Sequence, residues 1–106
     1  MTPEDEKLVA LARAARARTQ AVQGAAVRDE TGRSYAGASV ALPSLRVGAL
    51  DLAVAQAAAA GARGLEAAVV VGGGAPVVDA VRDLGGTEVP VWHCTSTGAV
   101  LQQLST

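Results

Sequence analysis

The chain has 106 residues, about half of them hydrophobic, with a formal net charge of −1 and one cysteine. This length predicts a single domain over residues 1–106, and the near-neutral charge argues against nucleic acid or an anionic membrane surface as a partner. A lone cysteine excludes an intrachain disulfide and no uncharged apolar run is long enough to span a membrane, so we expect a cytoplasmic protein.

The first half of the chain predicts one helix followed by a β-hairpin. Apolar residues recur at helical spacing over residues 3–18. Two extended segments, Gly24–Arg28 and Ser34–Val40, flank a turn at residues 29–32 and therefore predict a hairpin. Pro43-Ser44 is expected to end this extended stretch.

The second half predicts helices that alternate with strands. An alanine-rich helix is expected over Arg46–Ala60, followed by a buried strand over Glu66–Val71. A third helix over Pro76–Leu84, a strand over Val89–Cys94 and a short closing element over Ala99–Leu104 complete the order αββαβαβ plus a tail. Helices that follow strands in this way predict an α/β sheet covered on both faces.

Several of these segments resemble cytidine deaminases. Residues 24–27, 29–33 and 35–40 resemble the opening hairpin of that family, in which a V-G-A-A strand turns through D-G and returns as F-x-G-x-N-V-E. Val89–Trp92, followed by Gly98, resembles its P-V-Y-L strand and the glycine turn after it. The resemblance implies the three-layer α/β/α sandwich of the family, with a mixed sheet of about five strands.

The resemblance breaks down at the zinc site. Relatives hold zinc with a C-A-E motif at one helix start and a P-C-x-x-C motif at the next, where thiolates bind the metal and the glutamate moves the proton. On this chain the motifs fall at residues 48–50 and 76–80, and neither segment contains Cys or His. The ligand and acid/base positions are occupied by Gly48, Leu50, Val77 and Ala80. The N-x-E motif for the ribose becomes Ser39-Val40-Ala41.

Our leading hypothesis is therefore a protein with the cytidine deaminase fold but no catalytic residues, no metal and no cofactor. An alternative is a pyrimidine nucleoside deaminase with a displaced metal site drawn from Asp51, Asp79, His93 or Cys94. Adjacent residues on a strand point to opposite faces, which argues against joint ligation by His93 and Cys94. A third hypothesis, a nucleoside-binding sensor, is weakened by the loss of the ribose-binding Asn and Glu.

Two further features have a structural explanation. Gly72–Gly74 joins a strand to a helix without a phosphate-binding motif, so we expect a flexible connection. Arg13, Arg16 and Arg18 are expected to form a solvated face of the first helix.

The alanine-rich helix predicts a homo-oligomer, either a dimer or a tetramer. A chain without Phe buries little apolar area by itself, and this favours further burial by association. Ala49, Ala53 and Ala60 are expected to line an apolar stripe that packs against a second copy.

Overall fold

The computed structural model describes all 106 residues, which form three helices and seven strands. In chain order these are α1 (Pro3–Thr19), β1 (Gly24–Asp29), β2 (Ser34–Ala38), β3 (Val40–Leu42), β4 (Leu45–Val47), α2 (Ala49–Ala59), β5 (Leu65–Val71), α3 (Asp79–Gly85), β6 (Pro90–Cys94) and β7 (Val100–Ser105). Five strands form one mixed sheet in the order β2-β1-β5-β6-β7. Only β5 and β6 run parallel, and the other neighbours are antiparallel.

The helices cover both faces of this sheet. Along β1, Ala25 and Val27 pack in one apolar cluster with residues of α2 and α3, whereas Ala26 packs in a second cluster with α1. This alternation is the period of two that a strand between two layers requires. The three-layer α/β/α sandwich predicted from the resemblance is confirmed. No helix is both long and apolar enough to cross a membrane.

The start of α1 follows its sequence signals. The Thr2 hydroxyl accepts a hydrogen bond from the Asp5 amide at 3.1 Å, and Pro3 occupies the first helical position. The helix then lies close against β1, because Gly24 has no side chain and a Cβ there would overlap the Ala12 carbonyl oxygen. The predicted range of α1, residues 3–18, is correct to within one residue.

A second hairpin, β3 and β4, corrects the predicted start of the middle helix. Pro43-Ser44 does not end the extended stretch but forms the turn of this hairpin, and Arg46 lies in β4. Leu45 and Val47 alternate with Arg46 and pair with β3, so the local period is two. The helix α2 begins at Ala49, three residues later than predicted.

The expected oligomer stripe on α2 is also wrong in part. Ala49 and Ala53 are fully buried within the chain, where they pack in the cluster between α2, α3 and the sheet. Small side chains let the helix approach the sheet closely, so that side of α2 is core and not surface. Ala60 is exposed at the C-cap, and the outward alanines of the helix are Ala55, Ala58 and Ala59.

The remaining elements differ from prediction at their ends. The helix α3 begins at Asp79 and not at the predicted Pro76, and Val77 and Val78 precede it as non-helical residues. Valine loses side-chain freedom in a helix, and the acidic residue suits the first turn better. The closing segment is a full edge strand, β7, which pairs antiparallel with β6.

Candidate functional site

The segments that lead into α2 and α3 meet at a small pocket of about 160 Å³. Its lining residues are Gln23, Gly48, Ala49, Leu50, Asp51, Pro76 and Val77. Both helices pack on the same face of the sheet, and their starts converge at this pocket. The segments that correspond to the two zinc motifs of the family therefore meet, although Pro76 and Val77 precede α3 and do not belong to it.

The residues at the four zinc-site positions offer no metal ligand. Gly48 is the N-cap of α2 and provides no side-chain hydrogen bond. Leu50 is only 5% exposed and points into the core, while Val77 is 70% exposed. Ala80 packs against the same core cluster and does not line the pocket. Zinc binds thiolate, imidazole and carboxylate groups, so these four side chains do not fit it.

The two carboxylates considered for a displaced metal site have different surroundings. Asp51 is exposed and is the one carboxylate that lines the pocket. Asp79 is also exposed, and its Oδ1 lies 3.3 Å from Arg82 Nη1 in an ion pair within α3. No three His, Cys, Asp or Glu side chains of the chain come together as a metal-binding group.

His93 and Cys94 point to opposite faces of β6, as their adjacency predicts. The Nε2 atom of His93 lies 3.4 Å from the Gly72 carbonyl oxygen. Cys94 is fully buried in the cluster beneath α1, and burial raises the pKa of its thiol. A thiol in this apolar setting stays protonated at neutral pH and is a poor metal ligand.

Gln23 was not identified from the sequence, yet it organises the glycine loop beside the pocket. Its Nε2 donates to the carbonyl oxygens of Gly72 at 3.2 Å and Gly74 at 2.8 Å. A Cβ at Gly73 would collide with the Gln23 side chain, which explains the need for glycine there. Both ends of the Gly72–Gly74 loop are therefore hydrogen-bonded to Gln23. A single glutamine before a strand has no sequence signature that reveals this role.

The positions that correspond to the ribose-binding motif do not reach this pocket. The Ser39 hydroxyl accepts from the Gln23 backbone amide at 3.1 Å and so holds the start of β1 to the end of β2. Ser39 lines a separate cavity of about 380 Å³ between α1, β2 and α2. Ala41 is exposed on β3 and lines neither space.

Comparison with known proteins supports the same fold. A family model described as cytidine deaminase-like matches residues 1–98. The solved cytidine deaminase of Burkholderia pseudomallei is 30% identical, with a TM-score of 0.80 over 99% of this chain and 93% of that chain. No curated protein matches the chain.

Two mycobacterial structures show the likeness at the level of the fold. The cytidine deaminase of Mycobacterium leprae is 22% identical, with a TM-score of 0.72 over 94% of this chain and 91% of that chain. A mutant cytidine deaminase of Mycobacterium tuberculosis is 23% identical, with a TM-score of 0.69 over 81% of this chain and 82% of that chain.

Proposed function

We propose that this chain, which belongs to the cytidine deaminase-like family, is a non-catalytic member that acts by binding or by oligomeric assembly in the cytoplasm. The observation that carries the proposal is the pocket at the starts of α2 and α3. Gly48, Leu50 and Val77 surround it, and none of them offers a metal ligand or a transferable proton.

The chemistry of deamination explains why this replacement matters. Deaminases of this type use a metal-bound water as the nucleophile and a glutamate to carry protons to and from the base. Leu50 replaces that glutamate and cannot exchange a proton. The neighbouring Asp51 is a single carboxylate, whereas a zinc centre needs about three protein ligands. No observation favours the alternative of a displaced metal site.

The size of the pocket argues against the nucleoside-sensor hypothesis. Pockets for small molecules usually have volumes of about 300 to 1,000 Å³. The pocket beside Gly48 has about 160 Å³, and Leu50 and Val77 are apolar at positions where polar groups are expected in the family. The Ser39 hydroxyl bonds to the Gln23 backbone, and Ser39 does not line this pocket.

We retain assembly in the proposal, and we place its surface on the outer side of α2. Ala55, Ala58, Ala59 and Ala60 are exposed there. A row of small side chains permits close approach of a second helix. The lone buried Cys94 is consistent with the reducing cytoplasm.

An assay of cytidine and deoxycytidine turnover tests the absence of catalysis. The cytidine deaminase of Burkholderia pseudomallei, measured in the same buffer with added zinc, is the positive control. We expect no ammonia release above the buffer blank from this chain at enzyme concentrations far above those of the control. Turnover that scales with protein concentration and is abolished by a chelator would overturn the proposal.

A further inference from the structure

A groove lies on the α1 side of the sheet, between the outer face of α1 and the turn that joins β6 to β7. It has a volume of about 450 Å³. Its lining residues are Ala10, Arg13, Ala14, Arg16, Ala17 and Ser96. No carboxylate lines it. We propose that this groove binds a phosphate group carried by a small molecule.

The two arginines of the groove have no acidic partner within the chain. The cations of its ion pairs are Lys7, Arg28 and Arg82. The acidic residues of α1 are confined to its first turn, and no Asp or Glu occurs between Glu6 and Asp29. The protein has a net charge of −1, yet this side of α1 is locally cationic.

Helix geometry makes the two charges neighbours. Arg13 and Arg16 are three residues apart, so both lie on one face of α1, where like charges repel. The dipole of α1 favours a cation in the last turn, which accounts for Arg16 but not for Arg13, one turn earlier. An anion between the two guanidinium groups would relieve this repulsion.

Both side chains are held in place by contacts with the rest of the fold. Arg16 Nε donates to the Val22 carbonyl oxygen at 3.3 Å, which leaves the terminal N–H groups of its guanidinium for a ligand. The stem of Arg13 lies over Gly98, since a Cβ at Gly98 would be 3.3 Å from Arg13 Cδ. The Arg16 guanidinium, oriented in this way, loses less entropy when it binds an oxyanion.

The polar groups of the groove match a phosphate. A guanidinium fork binds two phosphate oxygens at once, and the Ser96 hydroxyl offers a further donor. Ser96 is the residue of this turn that lines the groove, and the neighbouring hydroxyls of Thr95 and Thr97 bond to each other at 3.0 Å. The volume exceeds that of a bare phosphate ion, and the alanines of α1 provide an apolar floor for the remainder of the ligand.

Titration of the wild-type protein with simple probes tests this inference. At constant ionic strength, we expect inorganic phosphate and phenyl phosphate to shift the amide resonances of Ser96 and the Nε resonances of Arg13 and Arg16 to saturation. Phenyl phosphate should bind several-fold more tightly than phosphate, because its ring covers the alanine floor. Shifts that sodium chloride reproduces, or that do not saturate, would overturn the proposal.

Matched variants locate the site. The double variant Arg13→Gln/Arg16→Gln should bind phenyl phosphate about a hundredfold more weakly, since each lost charged hydrogen bond contributes about a factor of ten. Arg46→Gln and Arg63→Gln remove exposed arginines elsewhere and should leave the dissociation constant unchanged. Thermal unfolding should confirm that the double variant and both control variants fold. Unchanged affinity in the double variant would refute the assignment.

A short single-stranded RNA distinguishes the proposed ligand from a polymeric one. We expect it to bind no more tightly per phosphate than inorganic phosphate, because the groove offers no aromatic side chain for base stacking. Markedly tighter RNA binding that is lost in the double variant would overturn the small-molecule assignment.

Discussion

Gly48 and Val77 line the same pocket, one at the N-cap of α2 and the other two residues before α3. In an active relative these positions supply thiolates to zinc, as the family motifs imply. Here the two segments still meet, but Gly48 offers only its backbone and Val77 only an apolar side chain. Both helices pack on one face of the sheet, and this packing brings the two segments together.

Restoring the ligands should restore zinc binding without restoring activity. We expect Gly48→Cys, Val77→Cys and Ala80→Cys together to bind zinc weakly, because Gly48 and Val77 line one pocket and a Cβ at Gly48 meets nothing within 4 Å, whereas Ala80 packs against the core outside that pocket. Zinc competition against a chromogenic chelator measures the affinity. Failure of the folded triple variant to bind zinc would mean that the three positions do not converge.

Adding the acid/base residue should cost stability. Leu50 is 5% exposed in the core, so Leu50→Glu in the triple variant buries a carboxylate and should lower the free energy of unfolding by about 3 kcal/mol. Cytidine turnover should stay very low, since Ser39 and Ala41 cannot provide the ribose contacts. Urea unfolding and a deamination assay measure the two effects. High activity from these four changes would show an intact nucleoside pocket.

Protonation of Asp29 should make the protein less stable in acid. Its carboxylate accepts hydrogen bonds from the Thr31 hydroxyl and amide, the Tyr35 hydroxyl and the Arg33 amide, and these lower its pKa to about 2. In the unfolded chain the pKa is about 3.9, so the stabilisation is complete above that pH and is lost as the pH falls toward 2.

Substitution isolates that effect. Asp29→Asn should be less stable than the wild type at pH 7, and the difference in urea midpoint should shrink as the pH approaches 2. Asp83→Asn, an exposed carboxylate outside any ion pair, is the control and should leave the pH profile unchanged. A pH-independent difference for Asp29→Asn would contradict the assigned pKa.

Arg28 should contribute much more to stability than the surface cation Lys7. Arg28 Nη1 lies 3.0 Å from Asp5 and its Nε lies 2.9 Å from Glu66, with the Asp5 side chain only 9% exposed. Arg28→Met leaves Asp5 unpaired in a nearly buried position and should cost about 2 kcal/mol. Lys7→Ala breaks an exposed pair with Glu4 and should cost about 0.5 kcal/mol or less. Equal losses in chemical denaturation would contradict this account.

Sedimentation at micromolar protein concentration tests assembly through α2. We expect a dimer or tetramer that Ala55→Arg dissociates, because Ala55 lies on the outer side of the helix. Ala14→Arg, an exposed alanine of α1, is the matched control and should leave the assembly intact. Ala53→Arg is unsuitable, since Ala53 is fully buried and the variant would report on folding. A monomeric wild type would rule out the proposed surface.

The order of the main elements could be predicted because strong local signals mark them. Thr2 and Pro3 mark the start of α1, and the apolar run at residues 67–71 marks a strand buried on both faces. The hairpin β3–β4 was missed because Pro43-Ser44 suggested an end and the alanine-rich segment suggested that a helix follows.

The faces of α2 could not be assigned correctly from the sequence. Its inner and outer sides both consist largely of alanine, so hydrophobic periodicity carries almost no information about orientation. Ala53 and Ala55 are equivalent by residue type, yet the first is buried and the second is exposed. The role of Gln23 depends on contacts with Gly72 and Gly74, which lie far away in the chain and only meet in the folded state.

The zinc content of the purified wild-type protein tests the central claim most directly. The protein is expressed in zinc-supplemented medium without an affinity tag that binds metals, and metal is quantified per chain by mass spectrometry. The cytidine deaminase of Burkholderia pseudomallei, purified in the same way, serves as the comparison. We predict zinc far below one equivalent per wild-type chain. Approximately one tightly bound zinc per chain would contradict the account.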